Sequence, residues 1–178
     1  MNIFYLDKNP TTCAEHHCDK HVVKMLVEYA QLMSTAHRVC DGNEYIDRTK
    51  NNRKIKRWRV NGSLESVLYK ASHVNHPSNI WVRDSVHNYN WLYDMWCELH
   101  TEYTKRYNKQ HKSYTLLNEL LAMPPSNIST HTFTQPTQAM PDDVKDDDSV
   151  TAYRNYYNKY KKQFATWKTQ VPSWFVKL

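Results

Sequence analysis

Glycine is almost missing from this chain, with two residues in 178. That scarcity disfavours phosphate-cradling loops and architectures built on tight hairpins, so a helix-dominated chain is expected. No apolar run approaches the roughly 18 residues of a membrane span, and the opening MNIFYLD has no signal-peptide pattern. The expectation is therefore no membrane partner. The four cysteines, Cys13, Cys18, Cys40 and Cys97, form no CxxC pair. Free thiols in a reducing cytoplasm are the simplest reading, with Cys13 and Cys18 as small buried apolar groups.

Other things are plentiful. Thirteen tyrosines and six tryptophans serve cores and interfaces, and such rings also stack on nucleobases. The net charge is +6 and the pI about 9.0, so DNA or a nucleotide is a plausible partner. With 40% apolar residues, the chain can bury a core without staples, as one domain over 1–178.

The patterning predicts an all-α fold with two or three long helices and an extended aromatic C-terminal segment. A capping box at Thr12 and Glu15 opens a helix that runs to about Cys40, where Asp41-Gly42 stops it. Its apolar stripe is Cys18, Val22, Met25, Tyr29, Leu32 and Ala36. A turn of helix follows near SLESVLYK. HVNHPSN is a turn that leads into a second long helix from Ser78 to Tyr107, with Val82, Val86, Tyr89, Tyr93, Trp96 and Tyr103 inward. SYTLLNELLAM is a shorter helix. Pro124, Pro125, Pro136 and Pro141 forbid helix through the loop at 124–148. DDDS opens a last helix, with Val150, Tyr153, Tyr157, Tyr160, Phe164 and Trp167 inward.

The segment HHCDKHVVKMLVEYAQ concentrates three histidines, a cysteine and acids. His17, His21, Lys24, Glu28, Gln31 and Thr35 recur at helical spacing and share a polar stripe. Three readings are open: a solvated face, a zinc site built on His17 and His21, or one wall of an active site. Lys20 and Lys24 oppose a cation, and no second pair of ligands stands out. In the third reading His21 and Glu28 face one pocket, where a glutamate can shuttle protons or stabilise an oxocarbenium ion.

The chain resembles the pyrimidine-dimer DNA glycosylases of the phage endonuclease V type and their bacterial relatives, including a phage-encoded branch. KHVVKMLVEYAQLM is similar to that family's first helix, with the histidine seven residues before the catalytic glutamate. NHPSNIWVRDSVHNYNWLY and EYTKRYNKQHKSYTLL resemble the bacterial relatives' Asn-His-Pro turn, long helix and basic end. VPSWFVKL is similar to the family's Pro-x-Trp-aromatic close. The resemblance implies a DNA N-glycosylase with AP-lyase activity, using neither metal nor cofactor. Its nucleophile is the chain's own α-amine, here that of Met1, with Glu28 as the acid and His21 as a catalytic neighbour that positions a phosphate or the sugar. An α-amine titrates near about 7.7–8.0 against about 10.4 for lysine, so more of it is neutral at pH 7. Val27 and Gln31 stand where the phage enzyme carries arginines.

Further candidates flank this site. His17, Lys24, Gln31, His76, Arg83, Trp174 and Phe175 are candidate substrate-binding residues. Residues 48–59, RTKNNRKIKRWR, hold seven basic residues in twelve and no acid. Arg53, Lys54, Arg57 and Arg59 in that run, with Lys105 and Arg106, are candidate contacts to phosphates. Two other functions compete: an N-glycosidase acting on a free nucleotide, favoured by the missing arginines, and a non-catalytic nucleic-acid or nucleotide binder.

Overall fold

The computed structural model describes residues 1–176. The chain opens with an irregular segment whose Ile3, Phe4, Tyr5 and Leu6 are all buried. Helix α1 (Pro10–His16) follows, capped by Asn9, whose Oδ1 accepts the Thr12 N–H at 3.0 Å. Thr12 is thus inside the helix, and the expected Thr12–Glu15 capping box is not its start.

The predicted single helix to Cys40 is also broken. His17 and Cys18 are extended, and α2 (Asp19–Asp41) begins afresh. The cause is a long-range contact: the Arg106 guanidinium takes the carbonyls of Glu15 and His17 at 2.9 and 2.8 Å. Those two oxygens are thereby withdrawn from the helical ladder. The predicted apolar stripe from Cys18 to Ala36 is buried throughout, and Cys13 is buried with it. At the far end, a Cβ on Gly42 would lie 2.3 Å from the Arg38 carbonyl. Only glycine fits that approach.

The fold is mostly α, not all-α. Residues 43–59 form a hairpin of β1 (Asn43–Arg48) and β2 (Lys54–Arg59), paired antiparallel from Asn43↔Arg59 to Arg48↔Lys54. Asn52 turns it at φ +58°, a conformation asparagine tolerates. Arg38, itself buried, roots the hairpin: its guanidinium donates to the carbonyls of Trp58, Glu65, Leu68 and Tyr69 and pairs with the Glu65 carboxylate at 2.6 Å.

A single turn, α3 (Leu64–Val67), precedes α4 (Pro77–Asp84) and α5 (Val86–Tyr107). The second predicted long helix is therefore divided at Ser85. There the 124–148 loop enters the kink, with Val86 N–H donating to Ser129 at 2.7 Å and Ser85 bridged to Thr130. Helix α6 (Lys112–Leu121) packs on α2 and α5. The loop itself holds no α-helix, as its prolines require, and one 3₁₀ turn at Asp142–Val144.

The last helix, α7 (Ser149–Tyr156), is capped by Asp148, then widens into a π turn at Tyr157–Lys161. That change of period places Tyr160 outward, 43% exposed, against its expected burial. Most of the aromatics serve the core. Trp96, Tyr5, Tyr29, Tyr89, Tyr153 and Tyr157 are fully buried, and Trp96 Nε1 donates to Leu26 O at 2.9 Å.

Candidate active site

The N-terminal segment is threaded into the body and tied at several points. Asn2 Nδ2 donates to Ala139 O at 2.8 Å, Phe4 N–H to the Tyr29 hydroxyl at 3.1 Å, and Arg154 Nε to Leu6 O at 2.9 Å. A terminus with four buried apolar side chains and such ties does not fray. Its α-amine is thereby held 3.7 Å from Glu28 Oε2. Lys24 Nζ lies 3.2 Å from the other oxygen, Oε1. The Glu28 side chain is 17% exposed, so it is shielded yet reachable. Gln31, half-buried, sits one turn further along α2.

The opposite wall is the loop before α4. His76 caps that helix, its Nδ1 accepting the Ser78 N–H at 3.2 Å. In the neutral ring the proton is then on Nε2. Burial lowers the His76 pKa, the positive N-terminal amine lowers it further, and Glu28 pulls the other way. The imidazole therefore shares the electrostatic neighbourhood of amine and carboxylate.

This loop is fixed in a costly shape. His73 has φ +49°, a left-handed conformation worth of order 1–3 kcal/mol of strain for a side-chain-bearing residue. Asn79 Nδ2 clamps the carbonyls of Ser72 and His73, both at 2.9 Å. Arg83 donates to Val74 O at 2.7 Å, and the Ser72 N–H reaches Thr35 Oγ1 on α2 at 3.3 Å. Arg83 thus braces the wall through its backbone. Asn79 was absent from the sequence-based candidates; its place two residues after the His-Pro turn was the available signal.

His21 and His17 occupy different positions from those the shared stripe suggested. Seven residues separate His21 from Glu28, about 10 Å along the helix axis. His21 instead stacks on Phe4 and bonds the Tyr157 hydroxyl through Nδ1. Burial, reinforced by neighbouring His17 and by the charges of Lys161, Lys24 and Lys20, pushes its pKa down to about 2. His17 is wholly buried, with Nδ1 on Cys13 O at 2.8 Å and Nε2 on the Tyr29 hydroxyl at 2.9 Å. Both of its nitrogens are occupied within the core, so the expected role as a substrate ligand is replaced by a structural one.

Other candidates separate in the same way. The Arg106 side chain has no exposure and is paired with Asp19 at 3.2 Å and Glu102 at 2.9 Å. It braces the α1–α2 break and offers nothing to a phosphate, contrary to expectation. Lys105 is exposed, 3.1 Å from Glu102. Arg53, Lys54 and Arg59 are exposed on the hairpin, while Arg57 is half-buried. Trp174 Nε1 donates to His16 Nδ1 at 3.1 Å, and Phe175 packs on Trp167. Those two rings close the body beside α1; Lys177 and Leu178 lie outside the described residues. A cavity of ≈ 230 Å³ opens there, lined by Glu15, His16, Glu102, Lys105 and residues 169–173, away from the amine.

A primary amine facing a shielded carboxylate can do two things in one place. The amine can add to an electrophilic sugar carbon, and the carboxylate can hold and return protons. Among the described residues, no three His, Cys, Asp or Glu side chains gather to hold a metal. None of the described helices is long and apolar enough to cross a membrane. No curated protein and no solved structure matches the chain. A family model described as pyrimidine dimer DNA glycosylase matches residues 1–115, a span that includes the amine, Glu28 and His76, and the chain belongs to that family.

Proposed function

We propose that this DNA glycosylase is bifunctional, with the Met1 α-amine as nucleophile and Glu28 as its proton-handling partner. The observation that carries the reading is the 3.7 Å approach of the amine to Glu28 Oε2. The neutral amine adds to C1′ of the damaged nucleotide as the bond from C1′ to the base nitrogen breaks with its electron pair going to the base. The added amine gives a proton to the Glu28 carboxylate, and the departing base takes one from solvent. Ring opening moves the C1′–O4′ pair onto O4′, which takes a proton from the Glu28 side, and leaves an iminium at C1′. The carboxylate then removes a C2′ proton, and the 3′ phosphate departs by β-elimination. Glu28 serves both steps because it is half-shielded and sits against the amine. Lys24 and Gln31 border the substrate, and His76 presents Nε2–H from the opposite wall. His21 acts as a positioning residue, through Phe4.

Borohydride reduction in the presence of abasic-site duplex tests this. The expected result is a cross-link that maps to the N-terminal peptide, lost when that terminus is acetylated. Glu28→Gln should abolish base release while keeping the fold and DNA binding. A cross-link at Lys20 or Lys24 reassigns the nucleophile. Base release without any cross-link means that an activated water attacks C1′. The alternative of a free-nucleotide substrate rests on Val27 and Gln31, which leave α2 without arginines beside Glu28. Turnover of free nucleotides with no measurable affinity for duplex DNA would establish it.

A further inference from the structure

Between the hairpin and the loop that carries His76 lies a cleft of ≈ 720 Å³. Glu44, Lys56, Arg57 and Trp58 line it from the hairpin, and residues 71–75 line it from the other side. Arg57 donates to Ala71 O at 3.1 Å, so its guanidinium is held across the two walls. The Arg57 Nε–H, in contrast, is buried and has no acceptor. An orphaned buried donor on a cationic group is costly unless a ligand supplies the acceptor. The one carboxylate of the wall, Glu44, is already paired with Lys56 at 2.9 Å.

We propose that this cleft is a backbone subsite of the same DNA-binding surface, taking one phosphodiester of the duplex at a fixed distance from the reacting nucleotide. The inference rests on the DNA-glycosylase reading above. A phosphate fits the donors: it is acceptor-only, it offers the Arg57 guanidinium the acceptor it lacks, and Lys56, held by Glu44, stands at the rim. The distance follows from how the walls are attached to α2. Ser72 is tied to Thr35, seven residues past Glu28, and Trp58 O to Arg38, ten residues past it. At 1.5 Å per residue these anchors stand about 10 and 15 Å along the helix from Glu28. For a duplex laid along α2, at a rise of about 3.4 Å per nucleotide, that is three or four phosphates to one side only. The same loop lines the cleft at His73 and carries His76 beside the amine and Glu28, and so joins the two sites.

Single methylphosphonates, walked along a duplex that contains a tetrahydrofuran abasic analogue, test the placement. Each replacement removes one backbone charge, and affinity is read by anisotropy. Binding should weaken roughly three- to tenfold when the neutral link lies three or four nucleotides to one side of the analogue. Arg57→Gln should erase that dependence. Lys56→Gln, on an exposed strand position, should reduce it and serves if loss of the Arg57–Ala71 tie disturbs folding. The proposal is overturned if no such position weakens binding, if both variants keep the wild-type pattern, or if the duplex is not bound. Borohydride trapping on a natural abasic duplex reports separately on the amine chemistry, which can fail while the interference pattern persists.

Discussion

The imidazole of His21 lies flat on the ring of Phe4, with centroids 4.1 Å apart and planes inclined by 17°. Phe4 belongs to the segment that carries the Met1 amine, three residues away, 3.7 Å from Glu28. On the proposed mechanism, His21 acts through this packing and not through its own proton. His21→Gln should lower kcat by misplacing the amine, with a smaller loss than Glu28→Gln. The pH profile of kcat should keep its shape, because a ring held neutral down to about pH 2 contributes no titration near neutrality. His21→Phe, which restores a stacked ring, should recover part of the rate. A profile that loses a limb in His21→Gln would make the imidazole a proton carrier.

Acid should destabilise the fold through the same rings. Burial lowers the His17 pKa to about 3 and the His21 pKa to about 2, while an unfolded histidine titrates near about 6.5. Below that value the unfolded chain binds protons that the native rings refuse. The stabilisation is complete above pH ~6.5 and is lost as pH falls towards the folded values. Each ring contributes about 1.4 kcal/mol per pH unit in that window, or roughly 2 kcal/mol between pH 6.5 and 5. Urea midpoints at the two pH values measure it. His21→Gln should lose distinctly less stability over the interval than the wild type; an equal loss in both would remove His21 from the account.

Much of this architecture was legible because burial dictates spacing. The stripe from Cys18 to Ala36 is core, and the prolines at 124, 125, 136 and 141 keep helix out of their loop. What the sequence hid depends on partners distant along the chain. The break at His17–Cys18 exists because Arg106, some ninety residues away, draws off two carbonyls. The break at Ser85 exists because the 124–148 loop lies against it. The hairpin was obscured by charge. Neither strand alternates apolar with polar residues along its length: Asn43–Arg48 is exposed at five of six positions, Lys54–Arg59 carries four basic residues in six, and the run gives no strand signal. The pairing of Met1 with Glu28 was accessible only through family resemblance, since periodicity alone assigns Glu28 to a polar stripe that buries His21 and Thr35 as well.

The clamp on the His73–His76 loop predicts a defect of placement in a residue that never touches substrate. Asn79→Ala removes both donors that hold Ser72 O and His73 O. The left-handed His73 then relaxes, and His76 moves relative to the amine. Thermal stability should fall modestly, by about 1–3 kcal/mol from the unsatisfied carbonyls. Base release should fall further than binding to abasic duplex. Asn79→Asp, which keeps the shape but reverses the hydrogen-bond polarity, should not rescue. Wild-type turnover in Asn79→Ala would show that the loop position is irrelevant to the chemistry.

The basic residues divide into those that hold the fold and those available to DNA, and the two groups fail differently. Arg53, Lys54 and Arg59 are exposed on the hairpin, and Arg57 faces its cleft. Neutralising all four should weaken binding to every duplex sequence and flatten the dependence of log affinity on log salt. The slope should shrink by roughly 0.9 for each phosphate that the variant no longer neutralises, up to about four phosphates. Melting temperature should change little, because most of these side chains stand in solvent. Arg106→Gln should do the reverse. Its guanidinium is buried between Asp19, Glu102 and two backbone carbonyls. Removing one partner of such a network strands buried charge and costs about 3–5 kcal/mol. Protein that still folds should bind DNA with an unaltered salt slope. Titrations at several salt concentrations, paired with thermal melts of the same preparations, separate the two. A reduced slope in Arg106→Gln would place that arginine on the DNA surface, and an unchanged slope in the fourfold hairpin variant would remove the hairpin from it.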